Sequence, residues 1–264
     1  MAMSLKWIAF LSILATPIVA FAQASQTPAE EAPAEDKWEI TNTVYGWFPG
    51  ITTTVETPIG EVQAGQSFGD VLETLDLAFL GALEARKGRL TLVGDVQYFD
   101  ISAEDEVTGP TSPLVGVLEI GSRILIVSGY ATYAVVDTLA TRLYLGAGAR
   151  AIDASIETTI FGTGEEGDAN FTNDGGWVDA LVAAKLVQQL GKDWTGTLYG
   201  DVGGFGIGSS SDITFQASAS VGYQLDDTFT VVTGYRFLRI EREIDNAEIT
   251  VDTSGPFLGS KIKF

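Results

Sequence analysis

The chain has 264 residues, with 15 Lys and Arg against 35 Asp and Glu for a formal net charge of −20, and it contains neither Cys nor His. That acidity excludes nucleic-acid partners, whose phosphates it would repel, and the missing cysteines exclude a disulfide framework and thiol chemistry. No cofactor is expected, because phosphate loops, Rossmann glycines and zinc-ligand spacings do not occur.

Residues 1–22 place Lys6 ahead of an apolar run from Trp7 to Val19 and end on Ala20-Phe21-Ala22. This order predicts a cleaved secretory signal; a membrane anchor is disfavoured by the short run and by Pro17 within it. Residues 23–36 (QASQTPAEEAPAED) carry no apolar periodicity and predict a disordered acidic leader. Residues 37–264 form the remaining unit, in which polarity alternates between turns.

The first predicted strand runs from Trp38 to about Thr53, with Ile40, Val44 and Phe48 opposite Thr41, Thr43, Tyr45 and Trp47. An insertion over 54–75 follows. The second strand, Leu77 to Arg86, turns at Lys87-Gly88 into the third, Arg89 to Ser102, where Leu90, Leu92 and Val96 oppose Thr91, Asp95 and Gln97. A polar loop from Ala103 to Pro113 leads to a fourth, Val117 to Val135. Its Leu118, Ile120, Ile124, Ile126 and Tyr130 are assigned to one face, and Glu119 and Arg123 to the other. The fifth, Thr141 to Ile156, sets Leu143, Leu145 and Ala147 against Arg142, Tyr144 and Arg150, and precedes an acidic Gly-rich loop, Thr158 to Gly175. The sixth, Trp177 to Leu190, sets Val178, Val182 and Leu186 against Asp179 and Lys185. The seventh, Trp194 to Ile207, carries Asp201 on its polar face. The eighth alternates Phe215, Ala217, Ala219, Val221 and Tyr223 with Gln216, Ser218 and Ser220. The ninth, Phe229 to Glu241, holds Arg236 between Tyr235 and Phe237.

After an acidic loop from Arg242 to Ser254, the chain ends on GPFLGSKIKF, with Phe264, Ile262, Ser260 and Leu258 on one face and Lys263, Lys261 and Gly259 on the other. A terminal strand of this kind leaves unpaired backbone groups unless it closes on the first strand. The alternating final strand on a C-terminal Phe resembles the closing strand of bacterial outer-membrane β-barrels. The chain is similar to the small barrels of the opacity-protein and OmpA/OmpW-like class, and Leu72 to Asp100 (LETLDLAFLGALEARKGRLTLVGDVQYFD) is of a type carried by proteobacterial members. The resemblance implies an all-β, closed, up-and-down antiparallel transmembrane barrel of about ten strands, eight being the alternative. Both termini would be periplasmic, with short turns there and long loops outside. It implies contact with membrane lipids and lipopolysaccharide, recognition of the last strand by the barrel-assembly machinery, and a monomer. Trp38, Tyr130, Trp194, Tyr223 and Phe264 fall where an interfacial aromatic girdle would lie.

If the apolar face meets lipid, the other gathers Glu39, Glu84, Asp95, Glu119, Asp179 and Asp201 with Arg123, Arg142, Arg150, Lys185, Arg236, Lys261 and Lys263. These nearly balance, so the net negative charge sits in the leader and in loop residues such as Glu104, Asp105, Glu165, Glu166, Asp168 and Glu248. The core of this set, Glu84, Asp95, Glu119, Arg123, Arg142, Arg150, Asp179, Lys185, Asp201 and Arg236, predicts a lumen charge network. In a barrel of about ten strands such a network is either a salt-bridged plug or the lining of a small pore.

The loop carboxylates do not match a calcium-loop spacing, and no specific metal site is expected; loose divalent bridging to anionic surface lipids suits them better than specific ligation. Gly65-Gln66-Ser67-Phe68-Gly69 fits the G-x-S-x-G pattern, yet it lies in a predicted loop and the chain has no His to serve as its base. Known outer-membrane lipases, lipid A-modifying enzymes and proteases of the resembling class rely on His, so no catalysis is expected. The Asn170-Phe171-Thr172 sequon is taken as coincidence. These features predict a non-enzymatic scaffold with acidic external loops. The alternatives are a narrow channel for small solutes, or a soluble periplasmic lipid-binding barrel with its apolar face turned inward. Protein isolated from outer membranes is expected to begin at Gln23, which its intact mass will show.

Overall fold

The computed structural model describes residues 37–57, 60–73, 75–107, 116–162, 169–244 and 247–264. The predicted signal and leader lie outside them. The described chain enters β1 (Glu39–Trp47), which breaks at Phe48-Pro49 and continues as β2 (Gly50–Thr57). β2 folds back through β3 (Gly60–Gln66), and a single helical turn, α1 (Phe68–Glu73), leads into β4 (Leu75–Lys87). There follow β5 (Leu90–Val107), β6 (Gly116–Asp137), β7 (Thr141–Gly162), β8 (Ala169–Gln189), β9 (Trp194–Gly204), β10 (Ile213–Gln224), β11 (Phe229–Ile244) and β12 (Ala247–Lys263).

Among the described residues, β1 and β4 to β12 pair in chain order, each antiparallel to the next, and β12 returns to β1, closing a ten-stranded barrel. The β2–β3 hairpin attaches outside the ten, on the upper half of β12. Short turns lie at one end: Gly88 takes a positive φ of 56° between β4 and β5, and Thr138, Asp226 and the 190–193 segment tie the others by local hydrogen bonds. Both ends of the described chain meet there, where the Phe264 amide donates to Ile40 O at 2.9 Å. We call this the turn end and the opposite one the loop end.

Several predicted boundaries are corrected. The segments read as loops over 103–113 and 158–175 are strand throughout their described residues: β5 runs on to Val107 and β6 starts at Gly116, while β7 reaches Gly162 and β8 starts at Ala169; 108–113 and 163–168 lie outside the described residues. Stretches such as Ser155 to Phe161 (SIETTIF) combine Thr, Ile and Phe, whose side chains suit a pleated surface whether or not lipid covers it. The insertion over 54–75 contains β3 and α1 rather than irregular chain. By contrast β9 and β10 are short, and β8 pairs with β9 only over Leu181 to Gln189, so the wall is low on this side.

Outward-facing positions form an apolar band. On β5 it runs from Leu90 to Tyr98 and on β11 from Phe229 to Phe237, matching the roughly 9–11 residues a tilted strand needs to cross a bilayer. Phe79, Leu83, Leu145, Val178, Val182 and Leu198 are among its exposed members. At the loop end the same outward positions turn charged: Arg239 grips Asp252 through two 2.6 Å hydrogen bonds, and Tyr98 donates to Asp100, the register partner of Arg123. At the turn end Trp194 packs on Tyr223 with centroids 4.8 Å apart, and Trp38 and Phe264 are exposed. Tyr130 does not belong to this girdle: it is 8% exposed and points inward, while Tyr133, 53% exposed, takes the outward place. Apolar side chains thus face outward across the band, opposite to what a soluble lipid-binding barrel requires.

A cation placed on the outer face in mid-band separates the two orientations. Val182→Arg is expected to lower the stability of the refolded barrel in lipid by about 2–4 kcal/mol, and Asp153→Arg, beyond the band, by much less, as measured by urea-dependent unfolding in vesicles.

Candidate functional site

The middle of the lumen is crossed by one polar network. Arg150 on β7 is fully buried and its guanidinium meets Asp201 Oδ2 on β9 at 2.8 Å, with both side chains at 0% exposure. Its other N–H groups donate to Thr214 Oγ1 at 2.9 Å, Tyr130 Oη at 3.1 Å and Ser128 Oγ at 3.3 Å. Tyr199 and Tyr130 each donate a hydroxyl to the same Asp201 oxygen, at 2.8 and 3.1 Å. Across the lumen, Arg236 on β11 donates to Gln216 Oε1 at 2.8 Å and to Tyr45 Oη at 2.8 Å, and reaches Asp95 Oδ1 at 3.4 Å. Tyr45 and Gln97 complete Asp95, each donating at 2.7 Å. Gln216 Oε1 also accepts from Arg150 at 3.4 Å and so joins the two halves.

Alternation explains the convergence. Every second residue of a strand faces inward, and on each of the strands involved the inward position at this height holds Tyr, Asp, Arg or Gln. A charge pair removed from water is tolerated only when most of its remaining donors and acceptors are filled; the tyrosine, glutamine and threonine side chains fill them here apart from Asp201 Oδ1 and Gln97 Oε1, which stay buried without a hydrogen-bond partner among the described residues. Toward the turn end, Lys185 Nζ pairs with Glu84 Oε2 at 2.5 Å and lies 5.5 Å from the centre of the Tyr144 ring. A vestibule of about 190 Å³, where Asp95, Arg236 and Lys261 stand beside Val93, Val232 and Phe257, lies within the barrel.

Of the residues expected in the lumen, Glu84, Asp95, Arg150, Lys185, Asp201 and Arg236 stand in these pairs. Asp179 is fully buried but takes no part in the arginine network. Its carboxylate accepts from the Ser211 amide at 2.7 Å and hydroxyl at 2.9 Å, pinning the β9–β10 loop to the wall. Arg142 holds an inward register position at the turn end beside Asp137. Arg123 is a correction: it is exposed on the outer face, because even-numbered residues of β6 point inward and odd-numbered ones outward. Ile124, Ile126 and Tyr130 accordingly line the interior, and Leu125 and Val127 face out. The side chain of Glu119 lies outside the described residues. The neutral partners Tyr130, Tyr199, Thr214 and Gln216 were not among the expected network residues; their shared parity with the buried charges is the signal that finds them.

Above the network the interior becomes apolar. Trp47, Leu80, Phe99, Ile126, Ile152 and Leu238 pack as one buried cluster, joined from the loop end by Val71 of α1. α1 is fixed by Ser67, whose amide and hydroxyl both donate to Asp70 Oδ2 at 2.8 Å and whose carbonyl accepts from Val71 N at 3.0 Å. These bonds hold the Asp70 carboxyl below the ordinary carboxylate range. Ser67 is thus the N-cap of a short helix. Within the cluster remains a cavity of about 160 Å³, walled by Trp47, Phe99, Ile126, Ile152, Trp177 and Ile240 among others. Arg236 lies over the Trp47 ring at 5.2 Å on the network side, and Arg242 over Trp177 at 4.5 Å, where the wall is low. Unfilled apolar volume costs roughly 24 cal/mol per Å³, on the order of 4 kcal/mol for a space of this size.

No protein-family model matches the chain, and no curated sequence matches it. Among solved structures, the outer-membrane protease OmpT from Escherichia coli matches with a TM-score of 0.56 at 11% identity, over 89% of this chain and 99% of that one. The chain has the outer-membrane β-barrel fold. The Ail attachment invasion locus protein of Yersinia pestis matches at a TM-score of 0.35 and 9% identity, over 86% of this chain and 98% of that one. Neisserial surface protein A matches at 0.31 and 13%, over 86% and 97%.

The buried pair provides a test of the network. Arg150→Met is expected to cost about 3–5 kcal/mol by stranding Asp201 in the lumen. Arg150→Met combined with Asp201→Leu should recover most of that loss, as measured by urea unfolding followed through Trp fluorescence.

Proposed function

We propose that this chain is an outer-membrane scaffold: a monomeric, non-conducting and non-catalytic barrel that carries acidic hairpins on the cell surface. The observation that supports this reading best is the Arg150–Asp201 and Arg236–Asp95 network, joined through Gln216, which spans the lumen between opposite walls. Barrels of eight strands are filled by side chains and aqueous channels belong to 16–18 strands, so ten strands with two arginines extended across the lumen form a plug. The outward apolar band supports a membrane location, and residues 1–22 supply the export signal. The turn end is then periplasmic and the loop end external.

Two partners follow from the same orientation. The outward-facing charges at the loop end, Arg123 and the Arg239–Asp252 pair, sit at the level of the outer leaflet's headgroups, where lipopolysaccharide carries its phosphates. The pairing of β12 with β1 is the closing step of assembly, and the exposed Phe264 beside it suits recognition by the assembly machinery.

Conductance of the refolded protein in planar bilayers tests the plug. The wild type and Arg123→Ala are expected to be silent, because Arg123 faces outward. Arg150→Ala combined with Arg236→Ala is expected to give small conductance steps. Stable, reproducible steps from the wild type would replace the scaffold by a channel.

A further inference from the structure

We propose that the apolar cavity in the loop-end half of the lumen is a binding site for one small uncharged apolar molecule, the size of a single aromatic ring. The lumen of an outer-membrane barrel is ordinarily polar, and the lower half of this one carries the charge pairs Arg150–Asp201, Arg236–Asp95 and Lys185–Glu84 among its apolar side chains. The upper half is walled by Ile, Leu, Phe, Val and Trp, and among its described lining residues Thr253 alone carries a hydroxyl. The two indoles confirm the character of the space. Trp47 Nε1 donates to Gly255 O at 3.3 Å and Trp177 Nε1 to Ser211 Oγ at 2.8 Å, so both polar edges are engaged in the wall.

Water is a poor occupant, because a buried water needs two to four polar partners. Packing alone would favour side chains that fill the space, yet about 160 Å³ remains. In another protein a cavity of about 150 Å³ lined by Leu, Ile and Phe stays dry and takes benzene or xenon. A lipid acyl chain is too long for this volume, and a charged ligand would find no counter-charge among the lining side chains. The polar network closes the floor, Val71 of α1 lies in the roof, and Trp177 stands where β9 and β10 leave the wall low. Access is therefore from the loop end.

The test uses the mature chain refolded in lipid nanodiscs, with benzene as the probe and Trp fluorescence and the thermal unfolding midpoint as readouts. The wild type is expected to show a saturable fluorescence change and a midpoint that rises with benzene concentration. Ala154→Leu, which grows a lining side chain into the space, should weaken the apparent affinity at least tenfold. Ile126→Phe serves the same purpose from the neighbouring strand β6 should Ala154→Leu fail to fold. Absence of a saturable response in the folded wild type, or an equal response in a folded filled variant as expected for benzene dissolved in lipid, would overturn the proposal. Neither readout depends on conductance, so this outcome is separable from that of the plug.

Discussion

Within hydrocarbon every backbone N–H and C=O must find a partner in the protein, and in this fold that requirement falls on β12. Along one edge it pairs with β11 from Ala247 to Ile262. Along the other it serves two strands in succession, β1 from Phe257 to Lys263 and β2 from Glu248 to Ser254. The interruption between them, Phe48-Pro49, costs little: proline has no N–H to lose, and Phe48 still donates to Pro256 O at 3.0 Å. Gly255 makes that crossing possible, since a Cβ there would collide with the Phe48 carbonyl. The closure fixes the strand number at ten, and the strand number fixes a lumen that side chains must fill.

How they fill it depends on where rings can lean. Tyr130 and Tyr45 reach the lumen carboxylates only by tilting over the neighbouring strand, and the residues beneath them are glycines. A Cβ on Gly148 would lie 2.8 Å from Tyr130 Cδ1, and one on Gly259 2.6 Å from Tyr45 Cβ. With those positions empty, both hydroxyls arrive at Asp201 and Asp95, where each also accepts from an arginine. The tyrosines therefore link donor and acceptor within each ion pair. This lessens the desolvation penalty that burial would otherwise impose on the isolated charges.

The closing strand, the strand number and the inward places of Arg150, Asp201 and Arg236 were legible in the sequence because each depends on alternation next to a turn or a charge. The face of β6 was not. From Ile124 to Val127 both faces are apolar, one toward lipid and the other toward the loop-end cluster, so alternation carries no contrast there. Arg123 then suggested the wrong parity, because it lies just past the band, where an outward charge meets water or headgroups instead of hydrocarbon. The strand extensions beyond the band escaped notice for a related reason: outside the bilayer no lipid demands an apolar face, and a strand there reads as polar loop. Neither the cavity nor its apolar walls could be inferred from one strand at a time, since they arise from β1, β2, β5, β6, β7, β8, β11 and β12 together.

The two halves of the lumen are consequences of each other. A ten-stranded barrel filled with charge along its whole height would need a partner for every buried carboxylate and guanidinium, and the inward positions supply enough only in the middle and toward the turn end. Above Arg236 the sequence switches to apolar side chains at the level of Trp47, and the cation over the Trp47 ring makes the boundary favourable on both sides. The polar layer fixes the barrel's cross-section through directional hydrogen bonds that reach between opposite walls. The apolar layer, held only by contact, is where that cross-section can be left incompletely filled. A cavity in this fold therefore belongs above the network rather than within it, because an unfilled position among the charges would strand a buried donor or acceptor, whereas one among isoleucines forfeits only dispersion contacts.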